Sequence, residues 1–119
     1  MDKNDLKIAV ADDEPNELNE ISCFLEDNGF IAVIAESTDE AIKICHELKP
    51  SLLILDMAME SFRGFEVARA LPWQKILFTV DSEDHIKKAN IFENSIGAIK
   101  KPIDTRELLE KIRNEFKIY

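Results

Sequence analysis

Five residues of this chain stand at, or just past, the ends of short apolar runs. Asp12 and Asp13 follow Leu6–Ala11, Asp56 follows Ser51–Leu55, Thr79 closes the run that begins at Lys75, and Lys101 follows Gly97–Lys100. Brought to one edge, they set three carboxylates, a hydroxyl and an ammonium side by side. Clustered carboxylates repel, so the arrangement costs stability unless a cation sits among them. A hard divalent cation with oxygen ligands answers that cost, and Mg²⁺ keeps several waters while taking one or two carboxylates. An Asp beside such an ion and a lysine is suited to attack phosphorus, since Asp is an established covalent phosphoacceptor. The ion and Lys101 would neutralise charge on the transferred phosphoryl oxygens. Taken singly, each residue has an ordinary reading: the Asp residues as turn or helix-cap residues, Thr79 as a β-branched strand residue, Lys101 as a surface lysine.

Those residues meet only if the elements between them fold back each time. Leu6–Ala11 and Ser51–Leu55 are near-continuous apolar runs, which predict buried strands. Phe30–Ala35, Lys75–Thr79 and Gly97–Lys100 read as three more. Between the first two strands, Pro15 suits a helix start and Gly29 its stop, with Leu18, Ile21 and Leu25 at helical spacing. Glu17, Glu20 and Glu26 fall to the wet face of that helix. Ser37-Thr-Asp-Glu40 is a capping-box pattern opening a second helix that buries Ala41, Ile44, Cys45 and Leu48 and ends before Pro50. A short third helix is predicted from Phe65 to about Leu71, opened by Gly64 and closed by Pro72. A fourth runs from Asp84 to about Glu93, and a last one starts near Asp104 or Thr105 and buries Leu108, Leu109, Ile112 and Phe116.

Five strand-then-helix units with apolar strands imply a parallel sheet covered on both faces. The predicted class is therefore α/β, an open doubly wound five-stranded parallel sheet, too small for a closed barrel. In such sheets the ligand site lies beyond the carboxyl ends of the strands, which is where the five residues fall. The chain of 119 residues reads as one domain over 1–119. Its net charge of −9 excludes a generic nucleic-acid surface and disfavours anionic membranes. No apolar run approaches a membrane span and the first residues are no secretory signal, so the expected location is cytoplasmic. The two cysteines, Cys23 and Cys45, are too few for a disulfide framework and read as half-buried helix residues.

On Asp12-Asp13, Asp56 after Leu-Leu-Ile-Leu, Thr79 in Ile-Leu-Phe-Thr and Lys101-Pro102, with Met59 and Gly64 downstream of Asp56, the whole chain resembles a response-regulator receiver domain. The resemblance implies a flavodoxin-like strand order, 2-1-3-4-5. It implies Asp56 as phosphoacceptor, Asp13 as a direct Mg²⁺ ligand, Asp12 holding metal-bound water, and the Ala58 carbonyl as a further oxygen. Thr79 would turn its hydroxyl to the phosphoryl group, Lys101 would pair with a phosphoryl oxygen, and Lys101–Pro102 is a candidate cis peptide. The implied donor is a phosphohistidine on a sensor histidine kinase or phosphotransfer protein, or a small phosphodonor. The implied output is a downstream protein or domain bound at the face made by the fourth helix, fifth strand and fifth helix, with a homodimer also open. No direct nucleic-acid contact is expected.

Four features depart from the family pattern. Ala98 stands where an aromatic switch residue is usual, Val80 where a smaller residue is usual, and Glu60 where Pro is frequent. Gly64 to Thr79 spans 15 positions, so the third helix is shortened by roughly two turns. Two functions of different class follow. One is a phosphorylation-dependent switch of a two-component phosphorelay, catalysing no more than its own phosphorylation and slow dephosphorylation. The other is a constitutive interaction module that keeps the fold without using the phosphoryl group. A phosphatase with an aspartate nucleophile would need a second Asp where Ala58 stands. His46 and His85 read as solvent-facing, and Trp73 as a cover for the end of the third helix.

Overall fold

The computed structural model describes residues 6–118. Five strand–helix units alternate along the chain: β1 (Lys7–Ala11), α1 (Pro15–Asp27), β2 (Ile31–Ala35), α2 (Thr38–Leu48), β3 (Leu52–Asp56), α3 (Gly64–Ala70), β4 (Ile76–Val80), α4 (Glu83–Ala89), β5 (Ser95–Lys100) and α5 (Thr105–Phe116), with one further short helical turn, Met59–Phe62, between β3 and α3. The strands form one sheet in the order β2-β1-β3-β4-β5, every pair parallel. Strand alternation divides the core in two. Ile8, Val10, Leu52, Ile54, Leu77 and Ile99 pack against α1 and α5 through Leu18, Ile21, Leu25, Leu108 and Ile112. Ala9, Ala11, Leu53, Leu55, Phe78 and Val80 pack against α2, α3 and α4 through Ala41, Cys45, Val67, Ala68 and Ala89. β3 and β4 are buried along their whole length, which is why they read as unbroken aliphatic runs. The chain leaves β1 for β2 on one side and returns to β3 on the other. The crevice of the sheet therefore opens between the ends of β1 and β3, at Asp12 and Asp56.

Several boundaries differ from expectation, each for a local reason. α4 ends at Ala89, not near Glu93, because residues 90–94 are recruited elsewhere. Asn94 Nδ2 donates to the Ala68 and Leu71 carbonyls at the end of α3, while its own carbonyl accepts the Ile76 N–H. This satisfies the last carbonyls of the shortened third helix. Gln74, also buried, donates from Nε2 to the carbonyls of Pro50 and Lys75 and holds the short α3–β4 connection. β5 begins at Ser95, two residues before the predicted start, because Gly97 (φ +132°) lies within the strand beside an irregularity in its pairing to β4.

Side-chain placements need correcting too. In α2, Leu48 is exposed and Ile44 only half-buried. Of the capping box, the Ser37 hydroxyl accepts the Glu40 N–H as expected, but among the described residues the Glu40 side chain makes no return bond to Ser37, and the neighbouring Thr38 N–H donates to the side chain of Glu60. Cys23 is exposed and Cys45 fully buried, so neither is half-buried. His46 is solvent-facing and meets Trp73 edge-on at 5.5 Å, so Trp73 packs across to α2. Leu109 and Phe116 of α5 are partly buried. Among the described residues no helix is long and apolar enough to cross a membrane.

Gly64 is the glycine the fold depends on sterically. A Cβ there would lie 2.8 Å from the Met57 carbonyl oxygen and 2.9 Å from Met57 Cα, so α3 rests directly on the backbone that leaves β3. Gly64→Ala is expected to cost about 1–3 kcal/mol through this overlap, although alanine is otherwise the better helix former. Chemical denaturation of the two chains checks it.

Candidate functional site

Asp12 and Asp13 leave β1, Asp56 ends β3, Thr79 lies in β4 and Lys101 follows β5. The register sets Asp56 beside Thr79 across the β3–β4 pair. One carboxylate oxygen from each of Asp12, Asp13 and Asp56 lies within 4.8 Å of the others. Lys101 Nζ is 3.3 Å from Asp56 Oδ2, and Asp56 Oδ1 accepts the Ala58 N–H at 3.0 Å. All five residues predicted from the strand ends therefore converge on one edge, and Lys101–Pro102 is cis.

The polar bookkeeping of the site is incomplete in a telling way. Asp12 Oδ1 accepts the Glu14 N–H at 2.9 Å, but Asp12 Oδ2 is buried with no hydrogen-bond partner, as is Thr79 Oγ1. Buried polar atoms are normally satisfied, and an unsatisfied oxygen inside a carboxylate cluster leaves a lone pair free for an ion or water. An all-oxygen donor set with an orphaned carboxylate oxygen fits a hard divalent cation such as Mg²⁺. The Ala58 carbonyl accepts the Phe62 N–H at 3.1 Å and retains a second lone pair.

Burial dominates the electrostatics. It pushes the Asp12 carboxyl up to about 7, helped by the adjacent Glu17 and Asp56 and only partly offset by the Glu14 N–H and Lys101. Burial also raises Asp56, against the pull of Lys101 and the Ala58 N–H. For Lys101 burial opposes the charge, but Glu17, Asp56 and Asp12 outweigh it and hold the ammonium above its ordinary value. The site is thus a negative cluster organised around one half-buried cation, Lys101.

The segment after β3 straps across this cluster. The Glu60 N–H donates to Asp13 Oδ2 at 2.9 Å, and the Glu60 carboxylate accepts the Thr38 N–H at the start of α2. Glu60, Ser61 and Phe62 all take left-handed backbone angles (φ 49°, 61° and 66°), which costs non-glycine residues of the order of 1 kcal/mol each. Phe62 then meets His85 of α4 edge-on at 5.2 Å. His85 is therefore half-buried with Nδ1 enclosed, not solvent-facing as its helical spacing implied.

Comparison with known proteins decides the family. The model of the response regulator receiver domain matches residues 8–113. The chain belongs to the response-regulator receiver family. It is 29% identical over 112 residues to the alkaline phosphatase synthesis transcriptional regulatory protein PhoP of Bacillus subtilis, covering 90% of this chain and 47% of that protein. Protein PilH of Pseudomonas aeruginosa is 24% identical over 113 residues, covering 89% of this chain and 93% of PilH. The receiver domain thus spans about half of the first relative and nearly all of the second. Among solved structures, the signal receiver domain of a DNA-binding response regulator from Colwellia psychrerythraea superposes with a TM-score of 0.85 at 18% identity, covering 96% of this chain and 100% of that one.

Within this receiver domain, sequence reasoning missed one residue of the site itself. Helical spacing puts Glu17 on the wet face of α1, but its Oε2 lies 2.9 Å from Lys101 Nζ. Burial works against its charge, yet the Lys101 ammonium and the adjacent Asp12 carboxyl hold its carboxyl below the ordinary value. The available signal was positional: Glu17 follows Asp13 by one helical turn, on the turn that begins at the strand end.

Proposed function

We propose that this receiver domain is a phosphorylation-dependent switch in which Asp56 accepts a phosphoryl group in the presence of Mg²⁺. The observation that supports it best is Asp56 itself, buried between Lys101 at 3.3 Å and the carboxylates of Asp12 and Asp13. In the transfer, an Asp56 carboxylate oxygen attacks phosphorus, the P–N bond to the donor imidazole breaks, and an acyl phosphate forms. Asp12, Asp13, Asp56 and the Ala58 carbonyl are the groups that would hold the metal, which supplies positive charge against the phosphoryl oxygens. Lys101 moves from a carboxylate to a phosphoryl oxygen, and the unpartnered Thr79 hydroxyl gains an acceptor. Added charge then biases two arrangements of the strap and of the β4–α4 connection. The donor is a sensor histidine kinase or phosphotransfer protein, and the output partner binds the α4–β5–α5 face. The setting is cytoplasmic, and the domain occupies the whole chain of 1–119. Receiver domains are regulatory modules, not turnover enzymes.

A second reading, a constitutive interaction module, draws on Ala98 and Val80. Val80 is fully buried, and Ala98 supplies no ring to couple to Thr79. Beryllofluoride, a phosphoryl mimic, separates the two. With Mg²⁺ it should shift backbone amide resonances of the strap and of α4 in the wild type and leave Asp56→Asn unchanged. Absence of any shift in the wild type would favour the constitutive module.

A further inference from the structure

Lys101 is shared between two carboxylates carried by different elements. Glu17 Oε2 of α1 lies 2.9 Å from its Nζ and Asp56 Oδ2 of β3 lies 3.3 Å away. The lysine side chain is 18% exposed and Glu17 36%, whereas Asp56 is 5% exposed. The nearer of the two partners is therefore Glu17, outside the Asp12, Asp13 and Asp56 set, with its contacting Oε2 itself buried. Beside it a cavity of about 100 Å³ separates α1 from the β5–α5 connection, lined by Glu17, Glu20, Ile21, Pro102, Ile103 and Thr105. A Glu17 side chain released from Lys101 has this space to enter.

Resting on the reading of Asp56 as phosphoacceptor, we propose that Glu17 is a resident counter-ion that competes with the phosphoryl group for Lys101. In the resting chain Glu17 neutralises the lysine and adds a fourth carboxylate to the field around the metal ligands. Phosphorylation replaces one carboxylate charge on Asp56 with a phosphoryl charge of roughly −2. Lys101 is then drawn to the phosphoryl oxygens, and Glu17 faces a more negative site without its partner. Glu17 thus strengthens cation binding to the resting site and weakens the phosphorylated form, acting as a positioning residue through Lys101.

The two effects have opposite signs, which separates this role from simple damage. In Glu17→Gln, which keeps the side-chain shape, calorimetric Mg²⁺ affinity should fall about threefold or more, because one nearby negative charge is gone. Beryllofluoride affinity at saturating Mg²⁺ should rise by about threefold or more, because Lys101 is free and the repulsion is removed. Glu17→Ala should give the same pair of signs, and it carries the test if the glutamine variant is poorly folded. Weaker beryllofluoride binding in both variants would make Glu17 a support for Lys101 and overturn the proposal. Unchanged affinities would overturn it as well. A wild type that binds Mg²⁺ and beryllofluoride normally beside unaffected variants removes this role alone. A wild type that binds neither removes the phosphoacceptor reading together with it.

Discussion

Lys101→Met is expected to lower stability by about 2 kcal/mol at pH 8 and to cut beryllofluoride binding at least tenfold. The substitution keeps most of the apolar stem and removes the one cation that Asp56 and Glu17 share. Breaking a buried pair by deleting one partner costs about 3–5 kcal/mol, because the other charge stays buried and uncompensated. Glu17 is 36% exposed and Lys101 18%, so solvent screening brings the cost here below that range, to about 2 kcal/mol. The loss should be specific to alkaline conditions. At pH 5 Asp12 retains its proton and the cluster repels less, so the variant should approach the wild type. Urea denaturation at both pH values checks this. A deficit independent of pH would show that Lys101 contributes packing and not charge.

The second large effect is a stability that declines towards neutral pH. Asp12 has an ordinary value of 3.8 and is raised by burial to about 7 in the folded chain. Between those values the folded chain keeps a proton that the unfolded chain has released. Stability therefore falls as pH rises through this window, by up to about 1.4 kcal/mol per pH unit, and levels off above about 7. Asp56, raised in the same direction by burial, adds to the slope. Glu17 is lowered, so its contribution is lost as pH falls through its folded value, and it opposes the trend at the acid end. The clean window is thus from about 5 to 7. Cation binding needs these carboxylates ionised, so millimolar Mg²⁺ should raise the melting temperature more at pH 8 than at pH 5.5. Melting curves of the wild type and Asp12→Asn, with and without Mg²⁺, read both effects. Stability that rises from pH 5 to 7, or a slope that Asp12→Asn leaves intact, would contradict the assignment.

Most of the site was legible because it lies where strands end. The apolar runs of β1, β3 and β4 announce themselves, being buried on both faces, and the residue that follows each run is placed by topology alone. Asp12, Asp13, Asp56, Thr79 and Lys101 needed only the parallel order to meet. What escaped was decided by contacts between elements. Glu17 shares its polar spacing with Glu20, and nothing in a helical period says that only Glu17 reaches the β5–α5 connection at Lys101. The end of α4 was misplaced because Asn94 is claimed by the carbonyls of α3, a demand made 23 and 26 residues away. The strap was invisible for a different reason. Glu60, Ser61 and Phe62 carry no preference for left-handed backbone, and they adopt it where Glu60 bonds both Asp13 and Thr38.

The most direct measurement is the intact mass of the chain after incubation with Mg²⁺ and acetyl phosphate or phosphoramidate, with Asp56→Ala alongside. The expected result is a gain of one phosphoryl group in the wild type and none in the variant. A wild type that gains no mass from either donor, and whose spectra do not respond to beryllofluoride with Mg²⁺, would contradict the role of Asp56 as phosphoacceptor.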